Sequence, residues 1–358
     1  MPRSTEVYDQ RFPKFANQPM TSPPADPSPQ RFLETINAYH QTAAIKAAVE
    51  LNVFAAIAAG AALPSAIAQQ CHASERGIRI LCDHLTLIGF LTKEGDSYDL
   101  TPDTATFLVP SSPAYMGGIL EFMFSPSLVD GFAKLTQAVR QGGTALSQAG
   151  TMEAEHPVWV KFAEAMVPIM ASPAKLAAEL LSVPAKPNAR VLDIAAGHGM
   201  FGILLAQKHP NVELVSQDWA NVVEVARKNA HKMGLADRHK TLPGDVFNID
   251  WDGRYDVIML PNFLHHFDEQ TCVAILKKAR AALTEEGYVA TIDFVPNEDR
   301  VSPPPSASFA LVMLATTAKG DAYRFSDYDR MCKAAGLANN TMTALLPTAQ
   351  TLIVSKQK

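Results

Sequence analysis

A chain of 358 residues that is 47% hydrophobic and 19% charged has apolar material for two sizeable cores. Its net charge of −5, with no basic run anywhere, leaves no electrostatic footprint for nucleic acid. The four cysteines, Cys71, Cys82, Cys272 and Cys332, lack C-x-x-C spacing and suggest neither a disulfide framework nor a metal site. No apolar run reaches the ~18 residues of a membrane span, and no charged flank precedes an apolar core at the N-terminus. The expectation is a globular, cytoplasmic protein with no nucleic acid, membrane or metal partner.

In chain order, residues 1–30 are proline-rich (Pro19, Pro23, Pro24, Pro27, Pro29) and read as a flexible arm. From Arg31 to Ala59, Phe32, Ile36, Tyr39, Ala43, Ala47, Leu51 and Phe54 recur at helical spacing. That apolar face is broader than one amphipathic helix needs, which predicts a homodimer contact. Helices over Leu63–Cys71 and Ser74–Phe90, then a hairpin over Leu91–Leu100 with Gly95-Asp96 at its turn, make a winged-helix pattern. The second helix mixes Arg76 and Arg79 with Glu75 and Asp83, so a packing or dimerisation module is favoured over a DNA reader.

Tyr115–Val139 and Pro157–Leu181 read as two further helices, separated by the polar stretch Gln141–Glu155. Phe162, Met166, Ile169 and Met170 share a face that could wall an acceptor pocket or simply be core. Ser182–Ala189, with Pro184 and Pro187, reads as a linker, placing a domain boundary near Leu181: a first domain over 31–181 and a second over 182–358.

The second domain opens on a strand, Val191–Ile194, that carries Asp193 and runs into Gly197, Gly199 and Gly202 and then a helix. Glycines there allow a tight turn and let a ligand lie against bare backbone. Strand and helix then alternate: strand Val212–Ser216 before Asp218, helix Trp219–Lys232, strand Lys240–Leu242 before Gly244-Asp245-Val246-Phe247, strand Tyr255–Leu260 before Asn262–Phe267, helix Glu269–Leu283, and strand Tyr288–Phe294 containing Asp293. A helix over Asp321–Ala335 and short strands at Met342–Leu346 and Thr351–Ser355 close the chain. This predicts an α/β fold with a mostly parallel sheet and a terminal antiparallel hairpin.

The polar residues fall at strand ends, where open α/β sheets bind ligands. Gly197–Gly202 also satisfies G-x-G-x-x-G, and Asp218 could hold the ribose of NAD or of S-adenosylmethionine, so neither feature chooses. Asp193 inside the first strand, Asp245-Val246-Phe247 as an adenine-side edge, and the closing hairpin favour S-adenosylmethionine. An NAD-dependent oxidoreductase is one rival, and a winged-helix regulator sensing a small ligand is the other.

These residues resemble the class I S-adenosylmethionine-dependent methyltransferases, and among them the two-domain small-molecule O-methyltransferases such as the caffeic acid and hydroxyindole enzymes. The resemblance implies a Rossmann-like methyltransferase domain behind a winged-helix-like dimerisation domain at Ala38–Leu100. It also implies a cofactor site of Asp193, Ala195, Gly197, Gly199, Asp218, Trp219, Gly244, Asp245, Val246 and Phe247. Leu264-His265 resembles the catalytic step. Departures are Ala195-Ala196 where the family has glycines, Asp293 as a shorter flanking carboxylate, Tyr323 where a second acid is usual, and Pro261 where a lysine sometimes stands.

Methyl transfer needs alignment of the acceptor oxygen with an activated methyl group, and a base for a phenol of pKa ~10. His265 fits as base with Asp293 stabilising its imidazolium, and His266 is the alternative base; for either, capping the next helix is the bland reading. Asn262 and His266 join Phe162, Met166 and Met170 on the acceptor side, while His198 reads as a solvated loop residue. The expected function is metal-independent O-methylation of an aromatic or polyketide-like small molecule.

Overall fold

The computed structural model describes residues 27–146 and 158–357; the expected arm, up to residue 26, and positions 147–155 of the polar stretch lie outside the described residues. Two compact units divide the chain, one ending at Gly117 and the other beginning at Gly118. The helices between 118 and 181 therefore belong with the sheet and not, as the sequence suggested, with the first domain.

The first unit holds α1 (Gln30–Glu50), α2 (Val53–Ala58), α3 (Pro64–Gln70), α4 (Glu75–Leu87), the hairpin β1 (Leu91–Glu94) and β2 (Ser97–Leu100), and α5 (Pro102–Phe107). The single helix expected over Arg31–Ala59 breaks at Asn52, which takes a left-handed conformation (φ 57°) that asparagine tolerates better than most residues. Ser74 caps α4 by accepting the Gly77 N–H at 3.0 Å. Phe54, Ile67, Ile78, Leu85 and Tyr98 fill the core between these elements. Along α1, Phe32 and Tyr39 remain 65% and 66% exposed, so the apolar face seen in the sequence is not covered by the described residues.

The second unit begins with α6 (Ile119–Met123), α7 (Pro126–Ala133), α8 (Leu135–Gln141), α9 (Val158–Ala165) and α10 (Val167–Leu180). The two long helices expected here are broken, the first at Ser125 before Pro126, which occupies the opening turn of α7, and the second at Met166 before Pro168 in the opening turn of α10. There follow β3 (Ala189–Ile194), α11 (Met200–Lys208), β4 (Val212–Asp218), α12 (Ala220–Lys232), β5 (His239–Pro243), β6 (Tyr255–Pro261), α13 (Glu269–Ala281), β7 (Leu283–Asp293), α14 (Pro304–Thr316), α15 (Phe325–Ala334), β8 (Leu337–Ala344) and β9 (Thr351–Gln357). Sequence reading missed α14, because Pro303-Pro304-Pro305 reads as loop although proline is well suited to a first helical turn.

The sheet runs β5-β4-β3-β6-β7-β9-β8. Pairings from β5 to β7 are parallel, while β9 pairs antiparallel with both β7 and β8. Alternate residues serve opposite faces: Leu192, Ile194, Ile258 and Leu260 pack towards α13 and α15, and Val191, Leu214, Val257 and Met259 towards α10 and α11. From β3 the chain builds outward through β4 and β5, then returns to lay β6 on the other side of β3. That reversal opens a crevice at the carboxyl ends of β3 and β6.

Candidate active site

The five parallel strands deliver every strand-end residue singled out in the sequence to one edge of the sheet. After β3, Ala195, Gly197 and Gly199 all have positive φ (50°, 56° and 75°), so the alanine that replaces a family glycine still makes the turn. A Cβ built on Gly197 would meet only the Ala195 carbonyl, at 4.0 Å, so a ligand can approach the bare backbone there. Gly202 answers a different need: a Cβ would lie 2.6 Å from Leu214 and 2.9 Å from the Asp193 carboxylate, so only glycine lets α11 pack this closely on the sheet.

Asp193 is fully buried and accepts the Gly202 N–H on Oδ2 at 3.1 Å, while Oδ1 has no partner. Burial pushes its carboxyl up to about 8, the Gly202 hydrogen bond opposing and the nearby Asp218 charge adding to the rise. Asp218, at the end of β4, accepts the Gly197 N–H at 2.8 Å and its neighbour Trp219 N–H at 2.7 Å; burial raises it to about 6 against those two hydrogen bonds. Trp219 opens α12 and packs with Val222, Val225 and Ala163. His198 is not solvated as expected: it is buried, accepts the Met200 N–H on Nδ1 at 3.0 Å, and is held down to about 4 by burial.

A residue that sequence reasoning missed joins these loops. Gln217, buried one position before Asp218, accepts the Ala195 N–H at 3.3 Å and donates to the Gly244 carbonyl at 2.7 Å. Its only sequence signal was being a polar residue inside an apolar strand. Beyond β5, Asp245 accepts the Phe247 N–H at 3.0 Å and the Asn248 amide at 2.6 Å, forming a local turn. Lys278 of α13 clamps that turn by donating to the carbonyls of Val246 and Ile249 at 2.8 and 2.6 Å. Val246 is buried, whereas Phe247 stays partly exposed, edge-on to Phe267 at 5.3 Å.

Beyond β6, Leu264–His266 form a single 3-10 turn. His265 is buried and its Nδ1 lies 2.6 Å from Oδ1 of the fully buried Asp293 at the end of β7. The same Oδ1 accepts the Phe294 N–H at 2.8 Å, and Oδ2 accepts the Tyr328 hydroxyl at 2.8 Å. With Nδ1 committed to a carboxylate, Nε2 is the nitrogen left to exchange a proton. His266 makes no such pair: its Nδ1 is buried without a partner, and burial followed by the neighbouring His265 depresses its basicity.

Asn262, in a left-handed conformation (φ 50°), directs its amide N–H to the Met170 sulfur at 3.6 Å and leaves Oδ1 buried without a partner. Met166 and Met170 are buried on the α10 side of the sheet, and Phe162 packs edge-on to Trp159 and Phe122 at 5.7 and 5.0 Å. Trp159 in turn stands edge-on to His266 at 5.4 Å. The unpaired atoms of Asp193, Asn262 and His266 thus all lie in or just before the loops after β3 and β6, where a ligand would satisfy them. A separate open groove of about 770 Å³, lined by Leu311, Leu314, Lys319 and Gly320 among others, includes none of the expected site residues.

This sheet order, with a glycine loop after β3 and a carboxylate closing β4, is that of a class I methyltransferase. Residues 133–338 match the O-methyltransferase domain family and residues 33–110 the O-methyltransferase dimerisation domain. The chain belongs to the O-methyltransferase family and is an S-adenosylmethionine-dependent enzyme. A putative O-methyltransferase of Nostoc punctiforme is 50% identical, with a TM-score of 0.88 over 92% of this chain and 99% of that one. The 3-hydroxy-5-methyl-1-naphthoate 3-O-methyltransferase of Streptomyces sahachiroi is 27% identical over 88% of this chain and 91% of its own. Human N-acetylserotonin methyltransferase, solved with S-adenosylmethionine, is 21% identical with a TM-score of 0.80 over 94% of this chain and 99% of its own, and shows the shared fold.

Proposed function

We propose that this enzyme methylates a hydroxyl of an aromatic or polyketide-like small molecule without a metal, using His265 as general base. The observation that carries the reading is the buried 2.6 Å contact between His265 Nδ1 and Asp293 Oδ1 beside the cofactor loops. Bound at the carboxyl edge, S-adenosylmethionine supplies a methyl group already activated by its sulfonium. The bare backbone at Gly197 and the unpaired Asp193 Oδ1 fit such a ligand, Asp218 would accept from the ribose hydroxyls, and the Asp245–Phe247 turn would flank the adenine. His265 Nε2 takes the acceptor's hydroxyl proton as the oxygen attacks, and the anionic Asp293 stabilises the imidazolium that forms. Phe162, Met166, Met170, Asn262 and His266 form the acceptor side, where Asn262 Oδ1 can receive a hydrogen bond from a second polar group of the acceptor.

The naphthoate substrate named for the Streptomyces relative supports a planar phenolic acceptor. Incubating the enzyme with S-adenosylmethionine and a panel of hydroxynaphthoates and hydroxyindoles, with and without chelator, tests this by mass spectrometry. O-methylated product unaffected by chelator is expected; tight NAD binding with no response to S-adenosylhomocysteine would sink it.

The match to a dimerisation domain and the exposed face of α1 support a homodimer with a two-fold contact. Light scattering at micromolar concentration should give about 77 kDa, twice the 38.7 kDa chain, and Phe32→Glu with Tyr39→Glu should lower it. A monomer mass for the unaltered protein would exclude this.

The raised carboxyls predict how the ligand-free fold responds to pH. Asp193 and Asp218 titrate above their ordinary 3.8 in the folded protein, so their contribution is complete below about 4 and is lost as pH rises through about 6 and about 8. His198 and His266 are depressed from 6.5 and act in the opposite sense, but only below that value. Between pH 6.5 and 8.5 Asp193 therefore dominates, and the melting temperature without cofactor should fall. Asp193→Asn, which keeps an acceptor for Gly202, should flatten that decline; an equally steep fall in the variant would refute the assignment.

A further inference from the structure

We propose that Tyr328 is a positioning residue for proton transfer: its hydroxyl fixes the Asp293 carboxylate and draws on its charge, so that one oxygen steadily holds His265 Nδ1–H and Nε2 faces the acceptor. This rests on the reading of His265 as base. Asp293 has two oxygens that could each face an imidazole, and the pair works only if one of them does so steadily. Oδ1 carries His265 and the Phe294 N–H; Oδ2 would be an equally good acceptor were it not already occupied by Tyr328 at 2.8 Å. A tyrosine there cannot be replaced by solvent, because Tyr328 is only 1% exposed and Asp293 not at all.

The fit of the donor to its task is chemical. Burial beside the Asp293 charge keeps the Tyr328 phenol protonated far above its ordinary range, so it donates at any working pH. The other titratable groups around it, Cys272 on α13 and Tyr323, are likewise held protonated by burial and offer no competing charge. Tyr323 turns its hydroxyl away to the Phe267 carbonyl at 2.6 Å. The contact to Asp293 comes instead from Tyr328 on the buried face of α15. The backbone around Tyr328 is itself anchored, since the neighbouring Asp327 is gripped by Arg324, Arg330 and Arg300 at 2.8 to 3.2 Å.

A merely structural tyrosine would affect melting temperature and nothing at the imidazole. The discriminating readout is the Nδ1–H hydrogen bond of His265, taken from ¹H and ¹⁵N spectra of histidine-labelled protein saturated with S-adenosylhomocysteine and assigned by the resonance that His265→Gln removes. The wild type should show the Nδ1–H tautomer alone. Tyr328→Phe should keep that tautomer, since Asp293 can only accept, but should move the Nδ1–H proton downfield, because a carboxylate that has lost a donor is a stronger acceptor; in an Asp293→Asn background the same change should move it little. A Tyr328→Phe spectrum superimposable on wild type, or equal effects in both backgrounds, would overturn the proposal. Should that variant fail to fold, 3-fluorotyrosine at 328 keeps the hydroxyl and donates more strongly; it should move the Nδ1–H proton upfield, and an unmoved resonance counts against the idea. Full turnover by His265→Ala would instead defeat the base reading, which these spectra do not measure.

Discussion

His265→Ala is expected to lower turnover by roughly 10²–10⁴-fold, the usual worth of a positioned general base, while S-adenosylhomocysteine binds nearly as before. The separation follows from geometry: His265 touches Asp293, Phe309 and His266, whereas the cofactor loops are held by Asp218, Gln217 and Lys278. Removing the imidazole also strands Asp293, but Tyr328 and the Phe294 N–H still satisfy that carboxylate, so the fold should survive. The defect should shrink for acceptors with more acidic hydroxyls, because a phenol already ionised at the assay pH has no proton to lose. Asp293→Asn should cost less than His265→Ala, and His266→Ala less again, since His266 has no carboxylate to stabilise its charged form. Single-turnover rates across acceptors of graded pKa measure this. An unchanged rate for His265→Ala, or a larger loss for His266→Ala, would reassign the base.

That His265 and not His266 meets Asp293 left no local pattern in the sequence; the physical difference is a register. Two adjacent residues on a 3-10 turn point about a third of a turn apart, and only one meets the strand that ends in Asp293. The sheet itself was legible because buried parallel strands are continuous apolar runs, and the carboxylates Asp193, Asp218 and Asp293 stood out near their carboxyl ends. Helices around the sheet were less so. The broad apolar stretches Tyr115–Val139 and Pro157–Leu181 carried helical spacing across breaks, of which Pro126 and Pro168 betrayed two and the one at Lys134 had no proline to mark it, and the prolines opening α14 concealed a helix by the same chemistry. Contacts made between distant segments left no local pattern: Gln217 bridging two loops, Lys278 clamping the turn after β5, and Tyr328 reaching Asp293 are visible only once the strands are side by side.

Asp218→Ala should weaken S-adenosylhomocysteine binding by about 1.5–3 kcal/mol, roughly 10–150-fold, the range for hydrogen bonds to a charged group. Three losses combine. The carboxylate no longer accepts from the ribose hydroxyls, nor the Gly197 N–H at 2.8 Å that holds the glycine loop in its turn, nor the Trp219 N–H at 2.7 Å. Asp218→Asn removes the charge and one of the two acceptor oxygens, so its amide oxygen can keep the Gly197 or the Trp219 N–H but not both; it should fall between wild type and alanine. The pH response adds a second handle. In the ligand-free protein burial raises Asp218 to about 6, and hydroxyl donors bind the anion better than the acid, so wild-type affinity should hold above that value and decline below it. Asp218→Ala has no such carboxyl and should show a flatter profile through the same window. Titration calorimetry at pH 5 and pH 7.5 measures both effects, and wild-type affinity in Asp218→Ala at pH 7.5 would remove the residue from the cofactor site.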